Sequence, residues 1–121
     1  MESTRQEQLE ALETLVGFNE KLLKNMRIII KELSGKRLDD TDQFLKGIVD
    51  AMNWEISVVN GTLELLNEGT ERINKVEFNE RILFFAETLK ANEDEKKAEA
   101  IRLLIPEFEK LTDAAREVIG Q

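Results

Sequence analysis

The feature that most constrains this chain is an unbroken alternation of three- and four-residue steps between apolar residues. Leu9, Leu12, Val16, Asn19, Leu23, Met26, Ile30 and Leu33 keep it for the first quarter of the sequence, and Leu45, Val49, Met52, Ile56, Val59, Leu63 and Leu66 repeat it. A helix brings such positions onto one face, whereas a strand needs a period of two. Leu15, Leu22 and Ile29 widen the first stripe, and Phe44, Ala51, Val58 and Leu65 run beside the second. Stripes of that width belong to helices packed in a globular bundle.

The helix ends read from local chemistry. Ser34-Gly35-Lys36 stops the first helix, with Gly35 suited to a left-handed terminal position. Asp39-Asp40-Thr41-Asp42 places acidic caps at the start of the second, and Gly69 ends it. Residues 70–77 read equally as a continuation of that helix or as a new start at Thr70. Phe78, Ile82, Phe85 and Leu89 form the seam of a short third helix. Asn92-Glu93-Asp94-Glu95 has the spacing of a capping box before a fourth, whose face is Ile101, Leu104, Ile105, Phe108, Leu111, Ala115, Val118 and Ile119. Pro106 lies inside it and predicts a kink or a restart.

The expectation is an all-α, up-down-up-down four-helix bundle in one domain, residues 1–121, with helices near 4–33, 40–68, 71–91 and 93–119. It is elongated, with a shorter third helix and a Pro-kinked fourth.

Composition narrows the chemistry. The 121 residues contain no Cys and no His, which removes disulfides, Cys/His zinc sites, thiol nucleophiles and imidazole bases. Ser3, Ser34 and Ser57 therefore have no histidine to activate them. Glu10/Glu13 and Glu77/Glu80 have Glu-x-x-Glu spacing, but none takes an apolar seam position as a di-metal carboxylate site requires. No metal, no cofactor and no enzymatic activity is expected. A net charge of −8 disfavours nucleic acid and anionic membranes as partners. No apolar run is long enough to span a bilayer, and Met1–Arg5 opens without the apolar core of a secretory signal, so a cytoplasmic protein is expected.

Two residues depart from the pattern. Asn19 takes a seam position of the first helix: it either lies at the seam's wet edge or meets a helix end, or is a buried amide that fixes register at some cost in stability. Trp54 projects almost opposite the seam of the second helix, with Gly47 and Gly61 one heptad away on either side. Glycine inside a helix costs about 1 kcal/mol relative to alanine, so two on one face indicate close approach by another element. The candidate partner-binding surface is Trp54 with Phe44, Gly47, Ala51, Val58, Gly61 and Leu65, joined by Phe84 from the third helix. What approaches it is a helix of the same chain, a helical client, or a second copy in a homodimer.

In length, helix order and the stretch Leu89-Lys90-Ala91-Asn92 leading into an acidic turn and a last helix, the chain resembles the export chaperones of bacterial flagellin. The resemblance implies a small cytoplasmic bundle, a chaperone or adaptor, that shields a partner's helix. That family's tyrosine-bearing N-terminal segment has no counterpart in a chain without tyrosine.

Overall fold

The computed structural model describes residues 4–120; Met1–Ser3 and Gln121 lie outside it. Among the described residues there are four helices and no strand: α1 Arg5–Leu33, α2 Thr41–Leu66, α3 Lys75–Ala91 and α4 Asp94–Ile119. None is long and apolar enough to cross a membrane.

Neighbours run antiparallel. Arg5 Nη1 lies 2.7 Å from Glu68 Oε2 and Thr41 Oγ1 donates to Glu32 Oε1, pinning both ends of α1 against both ends of α2. Glu20–Arg116, Arg27–Glu109 and a bond from Arg102 to Ser34 set α1 against α4. Phe78 and Phe108 meet at 5.5 Å between ring centroids and join α3 to α4. Close backbone approaches follow α2–α1–α4–α3, with α2 also touching α4. Among the described residues α2 and α3 make no such approach, and that seam of the bundle stays open.

The buried face of α2 corrects the expected seam. It runs Thr41, Leu45, Ile48, Met52, Glu55, Val59, Thr62 and Leu66, while Val49, Ile56 and Leu63 are half-buried. The reason is that α2 carries two apolar stripes. Burying the line between them brings Val49, Ile56 and Leu63 on one side, and Phe44, Ala51 and Val58 on the other, into partial contact with the core. Polar residues on that line are buried as a consequence. In α1 the same rotation buries Leu15, Leu22 and Ile29 and leaves Leu9, Val16 and Ile30 half-buried.

The helix ends differ from the sequence reading in several places. The first is closed by a capping box not read in the sequence, Thr4 with Glu7. Gly35 takes the expected left-handed conformation at φ +108°. At α2, Asp40 occupies the cap position but makes no side-chain bond to the helix. The Thr41 hydroxyl organises that end instead, accepting from the Leu38 amide and donating to Glu32. Arg37 secures the same end, with a two-pronged bond to Asp94 and a third to Asp42; these raise its pKa above the ordinary guanidinium value.

The α2–α3 connection is built around Asn67. The helix ends at Leu66, before Gly69, and the Asn67 side chain donates to Ile73 O and accepts from the amides of Arg72 and Ile73. Arg72 donates to the carbonyls of Leu66 and Glu68, and its Nε lies 3.2 Å from Glu117. Asn74, not Thr70, caps α3 by accepting from the Glu77 amide. Asn92 is the left-handed C-cap of α3 at φ +54°, not the N-cap of α4, and its side-chain oxygen accepts from the buried Lys97. Glu93 takes the N-cap position of α4 without a side-chain bond. The last helix continues through Pro106 without a restart, the proline lying on its exposed side.

Candidate binding groove

Trp54 meets no helix on the far side of the bundle. Its ring sits 5.2 Å from that of Phe18 on α1, with the planes tilted by 53°. Both rings remain at the surface, Trp54 41% exposed and Phe18 54%. Two large aromatics left this open cost more apolar hydration than isolated surface leucines, and they straddle the outer seam between α1 and α2.

Along that seam lie three hollows. At one end Asn25 of α1 and Phe44, Gly47 and Ile48 of α2 line a hollow of about 400 Å³. In the middle Phe18, Ala51, Trp54 and Glu55 enclose about 250 Å³. Toward the other end Gln8 and Ala11 of α1 and Val58, Gly61 and Thr62 of α2 line about 220 Å³. Beside Phe18, a further hollow of about 340 Å³ is lined by Glu13, Thr14, Gly17 and Lys21. Gly47 and Gly61 are fourteen residues apart, about 21 Å along the helix axis, or four turns. The hollows are spread over about a helix's length of the seam, with the Phe18–Trp54 pair bridging it in the middle.

The glycines are not where they are because the chain packs on them. A Cβ built at Gly17, Gly47 or Gly61 meets no atom within 4 Å. The close approach expected from the sequence is therefore not made by any described helix of this chain.

Six of the eight residues assigned to this surface from the sequence lie along the groove: Phe44, Gly47, Ala51, Trp54, Val58 and Gly61. Leu65 is instead buried in the core. Phe84 is half-buried on α3, which packs on α4 and approaches neither α1 nor α2, so it does not join this face. The α1 side of the groove, Ala11, Gly17 and Phe18, was missed. Its signal was a large aromatic one step off the seam.

Beneath the groove lies a polar layer. Asn19 is fully buried; its Nδ2 donates to Phe108 O at 2.6 Å and to the Thr112 hydroxyl, while its Oδ1 has no partner. Glu55 is 0% exposed, and neither carboxyl oxygen makes a hydrogen bond. Burial alone pushes its pKa up to about 8. A second raised carboxyl, Glu107 on α4, owes its shift first to burial and then to Glu77, with Lys110 opposing. Among the described residues no three acidic side chains converge as metal ligands would.

The chain matches no protein-family model, no curated protein and no solved structure.

Proposed function

We propose that this protein is a non-enzymatic interaction protein, an export-type chaperone or adaptor, that receives a partner's amphipathic helix in the groove between α1 and α2. The observation that carries this reading is the exposed Phe18–Trp54 pair on a seam whose hollows are spread over about a helix's length and whose glycines have open space above them. Helix-in-groove recognition uses apolar anchors at spacings of three and four residues, which hollows spread along the seam accommodate. Tryptophan at the centre of such a surface is the residue type most often found to dominate binding energy. Glycines on the rim let a second backbone come close, and the net charge of −8 disfavours acidic partners.

The test is site-specific crosslinking. A photoreactive phenylalanine analogue replaces Phe44 or Val58, which line the seam without closing the space over the glycines, and the tagged protein is irradiated in lysate of its native host. One defined heterologous adduct at both positions, abolished by Trp54→Ala, is expected, and mass spectrometry must place the crosslink in a helix of the captured protein. An adduct formed only between two copies of this chain would replace the client by a homodimer. No adduct at either position would overturn the proposal.

A further inference from the structure

We propose that the central hollow of the groove is a binding site for a small amphipathic amine, its apolar stem between Phe18, Ala51 and Trp54 and its ammonium group on the carboxyl of Glu55. This goes beyond the helix-binding reading and stands whether or not a helix docks there.

The hollow and the carboxyl are independent observations. Three of its four lining side chains are apolar, and the fourth, Glu55, belongs to a residue with no solvent exposure and no hydrogen bond to either oxygen. Buried polar groups are nearly always paired, because leaving one unpaired sacrifices its hydration for nothing in return. The local fold offers no compensation. Burial is the sole influence on the ionisation of Glu55, with no lysine or arginine acting on it. Thr41 and Thr62, the other polar residues on the same buried line of α2, do have partners, Glu32 and the Val58 carbonyl. On that line of α2 only Glu55 is left without a partner, and it is the one carboxyl group among the described buried side chains that lack a hydrogen bond.

The chemistry of that ligand follows from the walls. Burial keeps this carboxyl protonated near neutral pH, where it can donate as well as accept; a cation that displaces the proton makes the strongest hydrogen bond open to the carboxylate. The two aromatic rings at the mouth favour a cation over a neutral donor. The net charge of −8 draws cations toward the surface and repels carboxylates and phosphates. A cavity of roughly 150 Å³ holds one benzene, so about 250 Å³ suits a single ring with a two-carbon arm, or a short alkyl chain. In the free protein Glu55 meets the hollow through its carbon atoms while both oxygens lie below its floor, out of contact with water, so binding requires the side chain to rotate and bring an oxygen to the ligand. If the carboxyl is protonated beforehand, its proton leaves to solvent as the ammonium binds, and no covalent bond to carbon changes.

The experiment titrates the full chain with phenethylammonium chloride and, separately, with its neutral isostere 2-phenylethanol, following emission of Trp54, the only tryptophan. Saturable binding of the amine is expected, with the alcohol roughly tenfold weaker or worse. Glu55→Gln should bring the amine to the affinity of the alcohol. Equal affinities in the wild type, no saturation with the amine, or a preference that survives Glu55→Gln would overturn the site. Circular dichroism establishes that the variant folds. Should it not, Ala51→Leu fills the hollow and leaves the carboxyl in place: loss of amine binding supports the site, and unchanged binding overturns it.

Discussion

Phe18 on α1 and Trp54 on α2 meet ring to ring at 5.2 Å across the outer seam of the bundle, yet neither is covered by another helix. The pair is half core and half surface, and its truncation should behave so. Trp54→Ala and Phe18→Ala are each expected to cost about 1 kcal/mol in urea unfolding while helicity stays unchanged. Their coupling in a double-mutant cycle should be about 0.5–1 kcal/mol. A loss of roughly 3 kcal/mol or more from Trp54→Ala would place it in the core and remove the groove's main anchor.

The glycines give a prediction of opposite sign. Nothing lies within 4 Å of a Cβ added at Gly47 or Gly61. Alanine at either should therefore stabilise the isolated protein by about 0.5–1 kcal/mol, through helix propensity and a less flexible unfolded chain. In the groove reading the same changes narrow the space for a partner backbone, so crosslinking should fall as thermal stability rises. Gly35 and Gly69 provide the contrast: at φ +108° and +82°, alanine there should destabilise by about 1 kcal/mol.

Glu55 should leave a signature in the pH dependence of stability. Its pKa is about 8 in the folded chain against an ordinary 4.5. Below pH 4.5 both states hold the proton and the carboxyl imposes no ionisation penalty. Between pH 4.5 and about 8 the unfolded chain releases the proton while the folded chain keeps it, so stability falls as pH rises and levels off above 8. The loss is on the order of 4 kcal/mol. Glu68 and Asp94, lowered by Arg5 and Arg37, act in the opposite direction and only as the pH falls through the ordinary carboxylate range and below. Chemical denaturation at pH 5, 7 and 9 should show the decline in the wild type; Glu55→Gln should reduce it, leaving the part due to Glu107, whose buried carboxyl is raised and acts in the same direction. A wild-type curve flat across that window would mean that Glu55 is hydrated or paired in solution.

Why Glu55 escaped the sequence reading, while the helices did not, has one physical cause. Heptad spacing fixes that α1 and α2 are helices and that Leu45, Met52, Val59 and Leu66 point inward. With two apolar stripes on α2, however, spacing leaves the rotation of the helix about its axis open by one position. Packing chose the line between the stripes, and Glu55 went inward in place of Ile56. The open side of Trp54 was equally beyond a one-helix argument, because it depends on Phe18 of α1 meeting one face of the ring while no other described helix covers the pair. Side-chain caps were hard to assign for a related reason. Asn74 and Asn92 each stand three residues before a glutamate, Glu77 and Glu95, and only the observed backbone separates the left-handed residue that ends α3 from the one that opens it.

Asn19 tests what the polar layer does. Its amide nitrogen is well used, by Phe108 O and Thr112, but its carbonyl oxygen is unpaired. The Thr112 hydroxyl retains an alternative acceptor, Phe108 O at 3.4 Å. Leucine, of the same branched outline though larger, would therefore remove an unsatisfied oxygen and leave its former partners largely satisfied. Asn19→Leu should raise the melting temperature by a few degrees and loosen the register between α1 and α4, which nuclear magnetic resonance would detect as broadened or doubled signals. A marked fall in stability would show that the two hydrogen bonds outweigh the orphaned oxygen.

The connection after α2 is centred on the Asn67 side chain, with Arg72 bracing it through the carbonyls of Leu66 and Glu68. Asn67 donates to Ile73 O at 3.0 Å and accepts from the amides of Arg72 and Ile73 at 2.9 and 2.8 Å, which holds Ile73 in the core and hands the chain to the Asn74 cap. No helix supplies substitutes for these bonds, since residues 67–74 lie between α2 and α3. Asn67→Ala should cost on the order of 2 kcal/mol, because three partly buried backbone groups lose their partner together. Asn67→Asp keeps the acceptor and loses the donor, so it should cost less. Hydrogen exchange separates a local from a global effect: in Asn67→Ala the amides of Arg72 and Ile73 should exchange first, well ahead of those in α1 and α4. Uniform acceleration across all four helices would instead mean that this turn opens only when the whole bundle does.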